Sequence, residues 1–157
     1  MSFDSKRQRQ IMGRLATGVT VVSTKTGDGG WGMTANAVTS LSLEPPLVLV
    51  AVVRDSQTHT HLSESRFFAV NILSEEQEAL SNRFAFKGPK DFSDLDVKTA
   101  VTGAPILGDA IGWVDCRLTE ILPGGDHDIF IGEIVAGDLG DGRPLLFYEG
   151  KYGRLAD

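Results

Sequence analysis

The chain has 157 residues, 41% of them hydrophobic and 23% charged, with a formal net charge of −6 at pH 7. This length and composition predict a single domain over residues 1–157 with a sizeable core, and the acidic balance argues against a nucleic-acid or anionic-membrane surface. A single cysteine, Cys116, excludes an internal disulfide, and neither a secretory signal nor a bilayer-spanning apolar run is present, so we expect a cytoplasmic protein.

The first segment predicts a helix followed by a β-hairpin. Ser2 or Asp4 can cap a stretch whose apolar residues follow helical spacing, and Gly18 stands just beyond its end. Residues 19–25 and 31–38 then flank the turn sequence TGDGG, in which Gly and Asp tolerate positive φ.

Two further strands and a second helix are predicted next. Residues 47–53 (LVLVAVV) have the length and β-branching of a strand buried on both faces, and residues 66–73 (RFFAVNIL) form another strand. Ser74 and Gln77 follow at capping-box spacing and predict a helix whose apolar face includes Phe84.

The remainder of the chain predicts a long loop and more strands. Residues 87–109 are rich in Gly, Pro and Asp, and long loops of this kind are usually functional or cover a partner. Strands are predicted at 112–122 and 128–139, and GDGR at 140–143 predicts a hairpin turn into 144–152. Because strands outnumber helices, the predicted fold is mainly β, an antiparallel barrel with a few accessory helices.

Two motifs, one typical of dinucleotide binding and one typical of metal binding, lack the neighbouring residues that these functions require. Gly27, Gly29 and Gly32 fit the dinucleotide pattern G-x-G-x-x-G, but that motif requires a helix directly after it, and WGMTANAV has no helical periodicity. His59 and His61 form H-x-H without a third ligand at suitable spacing, so no metal site is predicted.

Residues 34–40 (TANAVTS) carry very little side-chain bulk between two apolar segments. A strand of this kind lets a flat ligand approach its backbone N–H and C=O groups directly. On periodicity alone, an ordinary exposed edge strand with a loop is the better explanation of this pattern.

Several segments resemble, in the same order, the flavin-reductase-domain family: GVTVVST, GMTANAVTSLSLEPPLVLVAV, DSQTHTHL, FAVNILSEEQEALSNRFA, PGGDHDIFIGEI and PLLFYEGKY. That family includes the small reductase components of two-component flavin-dependent monooxygenases. The resemblance covers nearly the whole chain. It implies an antiparallel split β-barrel with Greek-key character that binds FMN, or FAD, in a groove lined across a homodimer.

The resemblance also assigns residues to flavin binding. They are Thr34, Ala35, Asn36, Ser40, Ala51, Val52, Ser56, Thr58, Arg83, Phe84 and Tyr148. Those in 34–40 would lie along the isoalloxazine ring, and those at 51–52 would abut the ring or the ribityl chain. Those at 56–58 would hold the phosphate at a helix start. A solvated helix-end role for Arg83 and a packing role for Tyr148 stay open.

His127 in GGDH resembles the family histidine near the nicotinamide and is the catalytic candidate, although a turn histidine that bonds the hairpin is the alternative. The implied reaction is hydride transfer from NADH or NADPH to FMN or FAD, with reduced flavin supplied to a partner monooxygenase. The lack of an arginine cluster for a 2′-phosphate favours NADH. A flavin-carrying electron-relay protein without NAD(P)H turnover, and a reductase of another substrate such as a metal centre, remain alternatives.

Overall fold

The computed structural model describes residues 2–27 and 29–157 of the chain. The helices are α1 (Ser5–Met12), α2 (Gln57–Ser65) and α3 (Glu78–Ala85), and a 3-10 turn at Glu75–Gln77 precedes α3. The strands are β1 (Thr17–Gly18), β2 (Thr20–Thr26), β3 (Gly29–Ala35), β4 (Val38–Leu43), β5 (Pro46–Val53), β6 (Phe67–Ile72), β7 (Val97–Lys98), β8 (Ile106–Leu107), β9 (Gly112–Gly124), β10 (His127–Leu139), β11 (Leu146–Tyr148) and β12 (Lys151–Gly153). Among these described residues, no helix is both long and apolar enough to cross a membrane.

The predicted first helix is confirmed, but its end differs from the prediction. The Asp4 side chain caps α1 by accepting a hydrogen bond of 3.0 Å from the Lys6 amide. The helix ends at Gly13, whose amide bonds back to the carbonyl of Arg9 at 2.9 Å. Gly18 therefore does not end the helix and lies in β1 instead.

The capping box before the predicted second helix is also confirmed. Gln77 Oε1 accepts a hydrogen bond of 2.9 Å from the Ser74 amide, which satisfies a donor at the start of the 3-10 turn. The turn leads into α3, and Phe84 on its apolar face is 1% exposed.

Seven strands form the main sheet, in the order β3-β2-β6-β9-β10-β5-β4 with antiparallel neighbours. This confirms the mainly β, antiparallel prediction. The predicted β2–β3 hairpin is present. Gly29 and Gly32 of the dinucleotide-like pattern lie in β3, so the pattern leads into a strand and not into the helix that a dinucleotide site requires. Asp28 of the predicted turn lies outside the described residues.

The barrel core is built from the inward faces of the main sheet together with Leu62 of α2. In β5 the core side chains are Val48, Val50 and Val52, whereas the intervening Leu49 and Ala51 are only half-buried. The prediction that this strand is buried on both faces is therefore wrong. Its second face lies on the outside of the barrel, where the covering is partial.

The hairpin predicted at GDGR is wrong. β10 pairs with β9 and β5, and the next strand, β11, pairs with β1 and β12 in a separate small sheet. Backbone hydrogen bonds draw the intervening chain toward the end of β6: the Glu75 amide donates to Arg143 O at 2.8 Å, and the Leu145 amide donates to Leu73 O at 3.0 Å.

Residues 87–109 are mostly irregular, as predicted, except for the short β7–β8 pair. The fully buried carboxylate of Asp115 in β9 holds this segment by accepting hydrogen bonds of 2.8 Å from the amides of Val101 and Thr102. This explains why an aspartate is tolerated among the apolar positions of β9, since its charge is met by backbone donors.

Candidate functional site

A cavity of about 520 Å³ opens between β3, the start of α2 and the end of α3. Its lining consists of residues 31–34, Val53, residues 55–58 and residues 84–88. We call it the β3–α2 groove. Four of the predicted flavin contacts line it: Thr34, Ser56, Thr58 and Phe84. The fold thus brings these four residues, which come from distant parts of the chain, to one groove, and their contact with flavin stays a prediction.

The start of α2 presents amide donors to the groove. Ser56 caps the helix: its hydroxyl accepts from the His59 amide at 3.1 Å and donates to Val53 O at 2.7 Å. Gln57 and Thr58 lie in the first turn, where an amide has no carbonyl one turn earlier in the helix to bond. Such a helix start attracts anions, because the amide groups and the helix dipole both point at them.

Thr58 is held in place by a tryptophan that the sequence interpretation missed. The indole Nε1 of Trp31 donates to Thr58 Oγ1 at 3.0 Å, and both residues are buried. Since the hydroxyl accepts this bond, its own proton remains available to a ligand. The signal in the sequence was the buried tryptophan itself, because a buried indole N–H requires an acceptor.

The β3 wall of the groove consists of Trp31, Gly32, Met33 and Thr34. The Thr34 hydroxyl donates to Ser81 O at 2.6 Å. Ala35, another predicted flavin contact, does not line the groove: it is 8% exposed and packs in the barrel core. A Cβ on Gly32 would lie 2.6 Å from the Phe84 ring, so glycine is required for α3 to approach β3 this closely.

The other predicted contacts on these strands lie elsewhere. Asn36 and Ser40 line a second cavity of about 460 Å³. The core residues Val48 and Val70 also line it, so this cavity opens from the inward side of the main sheet. Ala51 is half-buried, and its amide donates to Ala37 O at 3.0 Å, next to Asn36. Val52 is 1% exposed and belongs to the barrel core, so its side chain does not line the groove.

Arg83 anchors the loop that follows α3. Its guanidinium donates to both carboxylate oxygens of Asp94, at 2.7 and 2.9 Å, and to Asp91 O at 3.2 Å. The hydrogen bond to Asp94 raises the pKa of Arg83, and the same bond lowers the pKa of Asp94. The structure therefore supports a role in ordering the loop. Arg83 does not line the groove, whereas its neighbour Phe84 does.

Tyr148 lies in the small sheet, in β11, and is 41% exposed. The neighbouring residue Glu149 forms an ion pair with Arg14, with its carboxylate 2.7 Å from Arg14 Nε. This position is beside α1 and outside the β3–α2 groove.

His127 lies at the edge of the groove but is not one of its lining residues. It begins β10 directly opposite Val53, which lines the groove. Its side chain is 40% exposed, and Nδ1 lies 2.7 Å from Asp126 Oδ1, a hydrogen bond that lowers the pKa of Asp126. The strand register thus brings the predicted catalytic histidine to the predicted phosphate-binding segment.

The two remaining histidines have structural partners. His59 Nε2 lies 2.7 Å from Asp128 Oδ2, and the His61 ring lies 4.4 Å from that of Trp31. In the described ranges 2–27 and 29–157, no group of three or more His, Cys, Asp or Glu is placed to hold a metal. Burial raises the pKa of the Cys116 thiol to about 12, which keeps it un-ionised at neutral pH and unsuited to act as a nucleophile.

The groove fits a flat aromatic ligand that carries an anionic group. Apolar and flat surfaces are supplied by residues 31–34 and Phe84, and the donors gather at one end, at the start of α2. A flavin mononucleotide has this combination of a planar ring system and a terminal phosphate. The donor set at Gln57 and Thr58 fits that phosphate.

Comparison with known proteins points the same way. A family model described as flavin reductase like domain matches residues 12–156. The reductase component of 4-nitrophenol 4-monooxygenase/4-nitrocatechol 2-monooxygenase from Rhodococcus opacus is 38% identical over 153 residues, which are 98% of this chain and 82% of the relative. The FMN reductase (NADH) SmoA of Agrobacterium fabrum is 39% identical over 98% of this chain and 87% of its own length.

A solved structure has the same fold. The Streptomyces globisporus NADH:FAD oxidoreductase SgcE6, in complex with NAD and FAD fragments, superposes with a TM-score of 0.91. The two chains are 35% identical, and the match covers 99% of this chain and 97% of that one.

The contacts of Arg83 predict a local effect of its removal. Arg83→Ala should raise amide hydrogen exchange in residues 88–96 several-fold while the melting temperature hardly changes, because a partly exposed ion pair orders a loop without supporting the core. Asp94→Asn is the matched partner variant and should give the same pattern. Unchanged exchange in both variants would show that the pair does not anchor the loop.

Proposed function

The chain belongs to the flavin reductase like domain family, and on that basis we propose that it uses NADH to reduce FMN, or FAD, in the β3–α2 groove and supplies the reduced flavin to a partner monooxygenase. It is accordingly an NAD(P)H:flavin oxidoreductase. The observation that carries the assignment of the site is the β5–β10 register. In this register His127 lies opposite Val53. Val53 is followed two residues later by Asp55 and three residues later by Ser56, the residue that caps α2.

The phosphate end of the flavin would be bound by α2. The amides of Gln57 and Thr58 would donate to the phosphate, and the Thr58 hydroxyl, which accepts a hydrogen bond from Trp31, would be a third donor. Ser56 contributes by capping the helix, since its hydroxyl proton already bonds Val53 O. Binding of the phosphate at α2 would fix one end of the ligand, and the ring at its other end would then lie beside β3.

The ring would lie along β3 and its following turn. The Thr34 hydroxyl is bonded within the protein, so Thr34 presents no free polar side-chain group to the ring, whereas the Ala35 side chain is buried in the barrel core. Asn36 and Ser40 line the second cavity, and Ala51 lies on the outer face of β5. In this proposal they bind the far edge of the ring where a second subunit closes the site.

The protein itself needs no acid, base or nucleophile for this reaction. The bound flavin supplies the chemistry, since it accepts a hydride from the nicotinamide of NADH. The chain would supply orientation, and in this proposal His127, next to the groove through its pairing with Val53, contacts the nicotinamide. Holding two reactants in reactive geometry removes much of the entropic cost of their encounter.

A homodimer is part of the proposal, because one copy leaves apolar surface uncovered. α1, which the structure describes completely, has no buried residue. Its Met12 is 55% exposed, Leu15 just beyond it is 64% exposed, and Leu43 at the end of β4 is 91% exposed. Burial of such side chains against a second copy is favourable by about 25 cal/mol per Å² of apolar area. The same contact would cover the cavity that contains Asn36 and Ser40.

The proposal places the protein in the cytoplasm with a monooxygenase as the acceptor of reduced flavin. The buried, reduced thiol of Cys116 is compatible with a reducing compartment. The reductase relatives of monooxygenases support this type of partner.

The first prediction concerns activity. Purified protein should oxidise NADH only when FMN, FAD or riboflavin is added. His127→Ala should raise the Michaelis constant for NADH or lower turnover, with a loss of about 1–3 kcal/mol in transition-state stabilisation. The dissociation constant for FMN should stay unchanged. Absence of turnover with every flavin, in folded protein that still binds FMN, would favour the electron-relay alternative.

The second prediction concerns the phosphate. Thr58→Val keeps the shape of the side chain and removes the hydroxyl, so FMN affinity should fall by about tenfold or more, because a charge-assisted hydrogen bond contributes about 1.5–3 kcal/mol. Riboflavin, which lacks the phosphate, serves as the matched ligand and should bind nearly as before. Titration of both ligands checks this, and an equal loss for the two would place the phosphate elsewhere.

The third prediction concerns assembly. Light scattering should return a mass about twice the 16.9 kDa of one chain at micromolar concentration. Leu43→Glu should lower that mass, because a carboxylate cannot be buried unpaired in an apolar contact. Glu44→Gln, at the adjacent position, is the control. A monomeric wild type would overturn the dimer.

A further inference from the structure

Arg54 connects the two halves of the proposed site. It lies between Val53 and Asp55, both of which line the β3–α2 groove. Its amide donates to Asp126 O at 3.1 Å, across to the turn that carries His127. The main chain therefore already joins the segment before α2 to the residue preceding the histidine.

The side chain of Arg54 makes a second connection, on the other side of His127. Arg54 Nε lies 3.1 Å from Asp128 Oδ1, and its terminal nitrogen reaches Gly125 O at 3.5 Å. Gly125 has a φ of +80°, as a tight turn requires. A single arginine thus contacts the residues before and after the histidine.

Asp128 is itself fixed by α2. Its side chain is only 12% exposed, and its second oxygen lies 2.7 Å from His59 Nε2. The His59 ring packs edge-on against buried Phe130, with ring centroids 5.0 Å apart. The hydrogen bond from His59 and the charge of Arg54 lower the pKa of Asp128, so the carboxylate stays ionised at neutral pH.

We propose that Arg54 and Asp128 are positioning residues that hold His127 at a fixed place relative to the start of α2, and so set how NADH is presented to the flavin. This inference rests on the proposed function. His127 begins a strand next to a glycine turn and is 40% exposed, so packing alone restrains it weakly. Small displacements of an orienting group cost much of its effect on the rate.

The geometry requires an arginine and not merely a positive charge. Arg54 uses different nitrogens for Asp128 and Gly125, and a guanidinium presents these donors in a fixed planar fork. Lysine offers a single ammonium on a flexible stem and cannot hold both contacts in that arrangement.

The experiment compares Arg54→Met, which keeps the stem, with Arg54→Lys and Asp128→Asn. Each should lower kcat/KM for NADH about fivefold to tenfold, with the dissociation constant for FMN within about twofold of wild type. Arg117→Met, at an exposed arginine of β9, is the control for loss of one positive charge and should leave both constants unchanged. If Arg54→Met does not fold, Asp128→Asn carries the same comparison.

A double-mutant cycle with His127→Ala distinguishes positioning from direct contact. In the His127→Ala background, Arg54→Met should lower kcat/KM by less than about twofold, because the group that it positions is already absent. Fully additive losses would show that Arg54 contacts NADH itself and would overturn the inference. A lowered melting temperature with wild-type kinetics would reduce Arg54 to a structural role and also overturn it.

The same cycle separates this inference from the proposed function. If His127→Ala impairs NADH oxidation but Arg54→Met and Asp128→Asn do not, only the positioning role fails. If His127→Ala is kinetically silent while the wild type oxidises NADH with added flavin, the role of His127 and the inference fail, and the reductase function stands. If the wild type shows no turnover with any flavin, the proposed function itself fails.

Discussion

The antiparallel pairing of β5 with β10 is the constraint on which the site depends. It runs without a shift from Leu47 opposite Glu133 to Val53 opposite His127, and α2 begins four residues after that last pair. Because side chains alternate faces in a strand, a slip of one residue would exchange the core positions of β5 with the outer ones. The core valines of β5 therefore fix the register, and the register fixes the distance between the histidine and the helix start.

The start of α2 shows how one short segment serves both stability and binding. The Ser56 hydroxyl is occupied in capping the helix, and the Thr58 hydroxyl is oriented by Trp31, so the amides and one hydroxyl proton remain for a ligand. Such a segment binds a ligand without supplying a reactive group, which agrees with a reaction in which the cofactor supplies the chemistry. The protein contributes a shaped groove, anion-binding donors at one end and an orienting side chain at the edge.

Local patterns in the sequence were sufficient for most elements, because alternation and capping act over a few residues. The capping box at Ser74 and the β2–β3 hairpin are examples. The prediction of a hairpin at GDGR was wrong because residues 143–145 form backbone hydrogen bonds with residues just after β6, which are far away in the chain. Val52 and Arg83 were assigned to flavin by resemblance, yet strand alternation places the first in the core and Asp94 engages the second.

The central claim is that the phosphate of the flavin binds at the start of α2 and the ring lies against β3 within reach of His127. A crystal structure of the protein with FMN tests it most directly. The account predicts the phosphate within hydrogen-bond distance of the Gln57 and Thr58 amides and the Thr58 hydroxyl, with the ring beside residues 34–36. A phosphate bound instead at Arg83 or beside α1, with the ring away from β3, would contradict it.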